Sequence, residues 1–201
     1  MPFVLTVDQR DSRHAGDEVD ALVGRLAGTA TLLPFRRTVG DELQGLLGEP
    51  VSVLGATLTL MRTRTWHVGL GIGPVDLPLP ADGDPTRARG TAFVAAREAV
   101  EAAKSDPHHL AVVGPDAPEA AYDVKAVLDL LDTVRQDRTA AGWEVVDLAL
   151  AGHTQAAAAE RLSISRQAVQ QRLRVSGWAL EEAARPTLVR LLDRAERAAG
   201  R

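Results

Sequence analysis

Phe3-Val4-Leu5-Thr6-Val7 opens the chain with a run of apolar and β-branched residues, which predicts a buried strand ending at Asp8. From Asp17 the apolar residues Val19, Leu22, Val23 and Leu26 recur every three or four positions, so a helix follows, to about Ala30. Thr31 to Val39 returns to strand-like residues. Gly40-Asp41-Glu42 supplies a tight turn, and Leu43 to Leu47 runs back as a partner strand. Pro50 suits the first turn of a helix carrying Val51, Leu54, Leu58 and Met61 at helical steps. Trp66 to Ile72 reads as a strand, Thr86 to Ala103 as an alanine-rich helix, and Leu110 to Val113 as a last strand before Gly114-Pro115. The order β-α-β-β-α-β, then α-β, predicts an α+β fold. Residues 1–114 would form a ferredoxin-like, palm-like sheet domain with its helices on one face.

Residues 115–138 carry Val124, Val127, Leu128 and Leu131 at helical spacing and predict a linking helix, a candidate dimer contact. Residues 139–201 are helical throughout in pattern. Here Val145, Val146, Leu148 and Leu150 define a first helix that Gly152 stops, and Thr154 caps a second helix running to Leu162. Ser163-Ile164 makes the turn. Ser165 caps a third helix whose Ala168, Val169 and Leu173 face inward, leaving Arg166, Gln167, Gln170, Gln171 and Arg174 outside. This is the pattern of an all-α helix-turn-helix domain. A helix entering a major groove needs forked donors and amides that pair with guanine and adenine edges, and cations for phosphates. All five outward residues are of those kinds. The bland alternatives are a plain helical bundle with a polar face and a protein-binding use of the same motif.

Composition narrows the class. With 45% hydrophobic and 25% charged residues in 201, the chain suits a globular protein rather than a disordered or fibrous one. No apolar run approaches the ~20 residues of a membrane helix. The N-terminus lacks the cationic region of a secretory signal, so a cytoplasmic protein is expected. Without cysteine there is no disulfide framework, thiolate metal site or thiol nucleophile. Charge changes sign along the chain: residues 1–138 hold 14 basic and 20 acidic side chains, residues 139–201 hold 9 and 7. Arg161 to Arg174 contains four arginines and no acid, which a polyanion would favour.

Asp8 at a strand tip and Asp41-Glu42 in the hairpin become neighbours if the first two strands pair. Converging carboxylates repel unless a cation lies between them, and hard oxygen ligands suit Mg²⁺ or Mn²⁺ completed by substrate phosphates. The competing reading is three exposed turn acids. His108-His109 reads as a solvated turn, Gly69-x-Gly71-x-Gly73 as crowding of the backbone, and Asp82-Gly83-Asp84 as a plain turn. Ser12 and Ser165 have no histidine partner in sequence, and no catalytic residue is assigned.

The helical run Ala-Ala-Glu-Arg-Leu-Ser-Ile-Ser-Arg-Gln-Ala-Val-Gln-Gln-Arg-Leu, ending at Leu173, resembles sigma-factor region-four and MarR-like DNA-binding helices. Four blocks, Asp8 to Arg13, Gly40 to Leu47, Gly69 to Gly73, and Ala88 to Phe93 continuing through Ala96 to Ala99, together with the helix-turn-helix, resemble the SatD family over almost the entire chain. That family's first domain is similar to the palm of class III nucleotidyl cyclases and GGDEF cyclases. The resemblance implies Asp8 and Asp41 as metal ligands, Glu42 as a third, and Gln44 and Arg97 near a nucleotide. The hairpin lacks the first glycine and the phenylalanine of GGDEF, no Arg-x-x-Asp precedes it, and Ala95 stands where the family often has asparagine. The expectation is a DNA-binding transcriptional regulator, acting as a homodimer on double-stranded DNA, whose palm senses a nucleotide with Mg²⁺ or Mn²⁺. The alternatives are a divergent nucleotidyl cyclase or nucleotidyltransferase with a DNA-binding tail, and a pair of interaction modules.

Overall fold

β1 (Phe3–Gln9) runs through the middle of a five-stranded sheet and is buried at every position but Asp8, because strands lie against both of its edges and side chains cover both of its faces. The computed structural model describes residues 2–11 and 16–200; Ser12 and Arg13 lie outside the described residues. After β1 come α1 (Val19–Leu26), β2 (Leu33–Arg37), β3 (Glu42–Leu47), α2 (Pro50–Thr63), β4 (Trp66–Ile72), α3 (Thr91–Ala103), β5 (Leu110–Val113) and α4 (Pro118–Gln136). Four further helices follow: α5 (Ala140–Leu150), α6 (Gln155–Leu162), α7 (Arg166–Val175) and α8 (Trp178–Ala199). The molecule is therefore mixed α and β, with eight helices and one sheet among the described residues.

The strand order is β2-β3-β1-β4-β5, antiparallel except for the β4–β5 pair. β1 pairs with β3 rather than with β2, which is an edge strand. Asp8 thus meets the hairpin through its register partner Glu42, not through a β1–β2 pairing. Val4 and Leu46 face α3, where they pack with Ala92, Phe93 and Ala96. Phe3, Leu5 and Val7 alternate to the opposite face and are equally sealed. The sheet is therefore covered on both sides, where the palm pattern predicted helices on one.

α3 lies directly on β4 because β4 has no side chain at Gly69 or Gly71. A methyl group at Gly69 would strike the backbone of Val100 and Ala96, and one at Gly71 the backbone of Ala92 and Ala96. The alternating glycines are thus a seat for a helix.

The chain divides into two compact units. One comprises the chain through Asp129 together with the chain from Leu188; the other is Leu130–Thr187. The second unit has its own small core: Val145, Ala158, Ala159 and Val169 are buried, with Leu148, Leu162, Ile164 and Leu173 packed on them.

Candidate functional site

Hydroxyl caps set the helices of the second unit. Thr139, Thr154 and Ser165 each accept a hydrogen bond from the backbone N–H three residues on, at 3.1, 3.2 and 3.1 Å. α5 ends in a Schellman pair, with Gly152 at φ 79° and His153 N–H donating to Leu148 C=O at 2.9 Å. Between α6 and α7 the chain turns through Ser163, whose φ of 54° places it in the left-handed region. The turn aims α7 outward with only Val169 fully buried.

Arg166, Gln167, Gln170, Gln171 and Arg174 are all exposed, and their spacing puts them on one stripe opposite Val169. α7 carries no acid. Arg174 donates through Nε and Nη2 to Gln171 Oε1 at 3.2 and 2.8 Å, so these two side chains are held as one forked group. Arg172, on the flank, is engaged by Glu144 at 3.1 Å. Gln170 and Arg174 also border a groove of about 600 Å³ with His153, Gln155, Trp178 and Glu182. The five predicted residues thus form one continuous surface of cations and amides that begins at the helix N-terminus, where the dipole also favours anions.

In the first unit, Asp8 and Glu42 are direct cross-strand partners, and His67 is the partner of Asp8 on the other side. Both of these acids already have a protein partner. Lys104 Nζ lies 3.2 Å from Asp8 Oδ2 and 2.7 Å from Glu101 Oε1, and these contacts hold its ammonium above the usual lysine range, the Glu101 bond most. Thr38 Oγ1 donates to Glu42 Oε1 at 2.5 Å. Asp41 occupies the turn after Gly40 and is half-buried. Among the described residues no group of three histidine, aspartate or glutamate side chains could hold a metal ion. Two of the acids that the resemblance implied for Mg²⁺ or Mn²⁺, Asp8 and Glu42, are thus engaged by Lys104 and Thr38 in this structure.

Glu42, Gln44 and Arg97 do come together. They line a groove of about 840 Å³ with Thr38, Val39, Arg89, Phe93 and Val94. Gln44 is 4% exposed, with Nε2 donating to Thr6 Oγ1 at 2.9 Å. Arg89 folds back, its Nη1 donating to the carbonyls of Thr86 and Ala88. Asp8 and Asp41 are not among the lining residues.

Three features escaped the pattern of the sequence. Phe93 and Arg89 line the groove, although the sequence pattern assigns neither a role. His109 lies in the turn that the sequence predicted, at φ 54°, but it is half-buried, and its ring meets His67 edge-on with centroids 5.2 Å apart. Burial pushes both imidazoles below the ordinary histidine range, helped at each by the nearby charge of Arg10. Glu181, finally, is sealed beneath three arginines, a cluster assembled from helices far apart in sequence.

Comparison with protein-family models, with curated proteins and with solved structures finds no match.

Proposed function

We propose that this protein is a DNA-binding transcriptional regulator in which α6, the turn through Ser163 and α7 form a helix-turn-helix, with α7 as the recognition helix. The observation that carries the reading is the acid-free stripe of Arg166, Gln167, Gln170, Gln171 and Arg174, exposed on a capped helix behind which Val169 is anchored. Arginine and glutamine are the side chains that pair bidentately with guanine and adenine edges, and arginine also neutralises phosphates. The test is capture of genomic fragments by the full chain, followed by gel shift on an enriched fragment. Arg166→Ala with Arg174→Ala should lose the shifted band while the circular dichroism spectrum stays unchanged; an undiminished band refutes the assignment.

The first unit is, on this reading, a ferredoxin-like palm that binds a nucleotide. Support comes from the β2-β3-β1-β4 order with β1 central, and from the groove that gathers Glu42, Gln44 and Arg97. The resemblance to the SatD family points to the same pairing of domains. A regulator is favoured over a nucleotidyl cyclase because phosphoryl transfer needs several positioned cations, and the acids here are engaged by Lys104 and Thr38 instead. Occupancy would regulate by favouring one DNA-binding arrangement of two copies over another. Two copies are expected because one small recognition helix buries little duplex surface and symmetric half-sites double it.

A further inference from the structure

The groove of the first unit differs in character on its two walls. One wall is the β2–β3 hairpin, which brings Glu42 with its carboxylate oriented by Thr38. That bond engages Oε1 and leaves Oε2 without a partner among the described residues. The other wall is α3, which brings Arg97; no ion pair or hydrogen bond engages its guanidinium among the described residues. Between them lie Phe93 and the amide of Gln44. Gln44 is nearly sealed, yet only one of its two amide ends has a partner, so the other is left to face the groove. Val39 and Val94 stand 82% and 70% exposed at the rim, apolar flanks without a covering side chain.

A ligand complementary to this arrangement has a flat apolar ring for Val39 and Val94, an anionic group for Arg97, and an edge of N–H donors for Glu42. The volume, about 840 Å³, lies in the range of small-ligand pockets. We infer that the groove binds a guanine nucleotide, with Glu42 reading the base and Arg97 holding the phosphates, and that it does so without a protein-held metal. Guanine presents two adjacent donors, N1–H and the N2 amino group, which match a carboxylate bidentately. Adenine presents a bare ring nitrogen at the same place, and a carboxylate facing an acceptor loses its hydrogen bond and is left desolvated. Glu42 is thus a base reader rather than a metal ligand, which agrees with its bond to Thr38 and with the capture of Asp8 by Lys104. This inference rests on the proposal that the groove is a nucleotide site.

The experiment is calorimetric titration of the full chain with GTP, ATP and ITP, each in Mg²⁺ and in EDTA. GTP should bind at least about tenfold more tightly than ATP, the ratio expected for one lost charged hydrogen bond. ITP, which keeps N1–H but lacks the amino group, should fall between them. EDTA should leave the order unchanged. Glu42→Gln should bring the GTP-to-ATP ratio close to one, and Arg97→Ala should weaken both nucleotides alike. ITP tests base reading on the unaltered protein, so the question is decided even if Glu42→Gln fails to fold. Equal binding of the three nucleotides overturns the base reading and leaves the groove as a nucleotide site. Binding that vanishes in EDTA overturns the metal-independent mode, and absence of all binding overturns the nucleotide reading itself.

Discussion

Arg138 Nη2 and Glu181 Oε2 stand 3.0 Å apart, and neither side chain is exposed. Two more guanidinium groups attend the same carboxylate, Arg185 at 2.6 Å on Oε1 and Arg135 at 3.4 Å on Oε2. Arg138 also donates through Nε to the Ser176 carbonyl at 2.9 Å and lies over the ring of Trp143 at 4.4 Å. One carboxylate thereby ties together the end of α4, the entrance to α5, the end of α7 and the start of α8. Burial holds the Arg135 guanidinium down at about 10, still charged at neutral pH.

Removing that carboxylate's charge should be costly, because it leaves buried guanidinium groups uncompensated. Glu181→Gln is expected to destabilise the second unit by about 3 to 5 kcal/mol, the penalty typical of breaking a buried ion pair by one partner. Urea unfolding followed by circular dichroism measures it. Burial works to raise the Glu181 carboxyl, but Arg135 and then Arg185 and Arg138 outweigh it and hold the group below the ordinary glutamate range. A depressed carboxylate contributes stability above its unfolded pKa and loses it as pH falls through the folded value. The wild-type protein should therefore lose stability on acidification below the ordinary glutamate range, and Glu181→Gln should lose less.

His67 and His109 give a second pH dependence in a milder range. Both are held below the ordinary histidine value, chiefly by burial. Between the folded and unfolded values the unfolded chain binds more protons, so stability rises with pH. The denaturation midpoint should be unchanged between pH 8 and 7 and should fall as pH drops through the imidazole range. His67→Asn with His109→Asn should flatten that fall. A double variant with the wild-type pH profile would show that these rings do not carry it.

The glycines of β4 and α2 should respond oppositely to the same change. Gly71→Ala places a methyl group against the backbone of Ala92 and Ala96, which cannot move aside as a side chain would. The expected loss is about 1 to 3 kcal/mol, the usual range for overpacking. Gly55 lies inside α2 with nothing within 4 Å of an added methyl group. Gly55→Ala should stabilise by about 0.5 to 1 kcal/mol through helix propensity alone. Guanidinium midpoints of the two variants, of opposite sign relative to wild type, check the pair.

The elements most legible in the sequence were those whose signals are local. Thr154, Ser165 and Gly152 mark helix ends through bonds to residues within four or five positions, and each lies where its chemistry placed it. The alternation of β1 was equally plain. α3, by contrast, begins at Thr91 rather than Thr86, because Pro85–Arg87 forms a separate 3₁₀ turn and Gly90 interrupts the chain before the helix. What the sequence hid are relationships between distant positions. Lys104 neutralises Asp8 across 96 positions of chain only because α3 ends over the tip of β1, and no local spacing announces such a contact. Likewise, Arg135 and Arg138 look like the polar end of a surface helix until the chain brings Glu181 between them. The proximity of Glu42, Gln44 and Arg97 was suggested by resemblance, yet the groove they share is completed by Arg89 and Phe93, whose types alone pointed nowhere.

Salt dependence separates the two jobs assigned to α7. Each cation that neutralises a phosphate releases counterions and contributes about one unit to the slope of log affinity against log salt concentration. If Arg166 and Arg174 both contact phosphate, the double alanine variant should bind non-specific duplex with a slope shallower by about 2. Glutamines that read base edges contribute no such term. Gln170→Ala with Gln167→Ala should leave the slope and the non-specific affinity unchanged and should lower only the preference for the captured sequence, by about 1 to 3 kcal/mol per lost bidentate contact. Arg172 is the internal control, because Glu144 already neutralises it at the flank of the helix. Fluorescence anisotropy across a salt series, on one captured and one scrambled duplex, measures all three. A slope that drops as much for Arg172→Ala as for Arg166→Ala would mean that net charge alone attracts the duplex, and the stripe on α7 would then have no special claim to it.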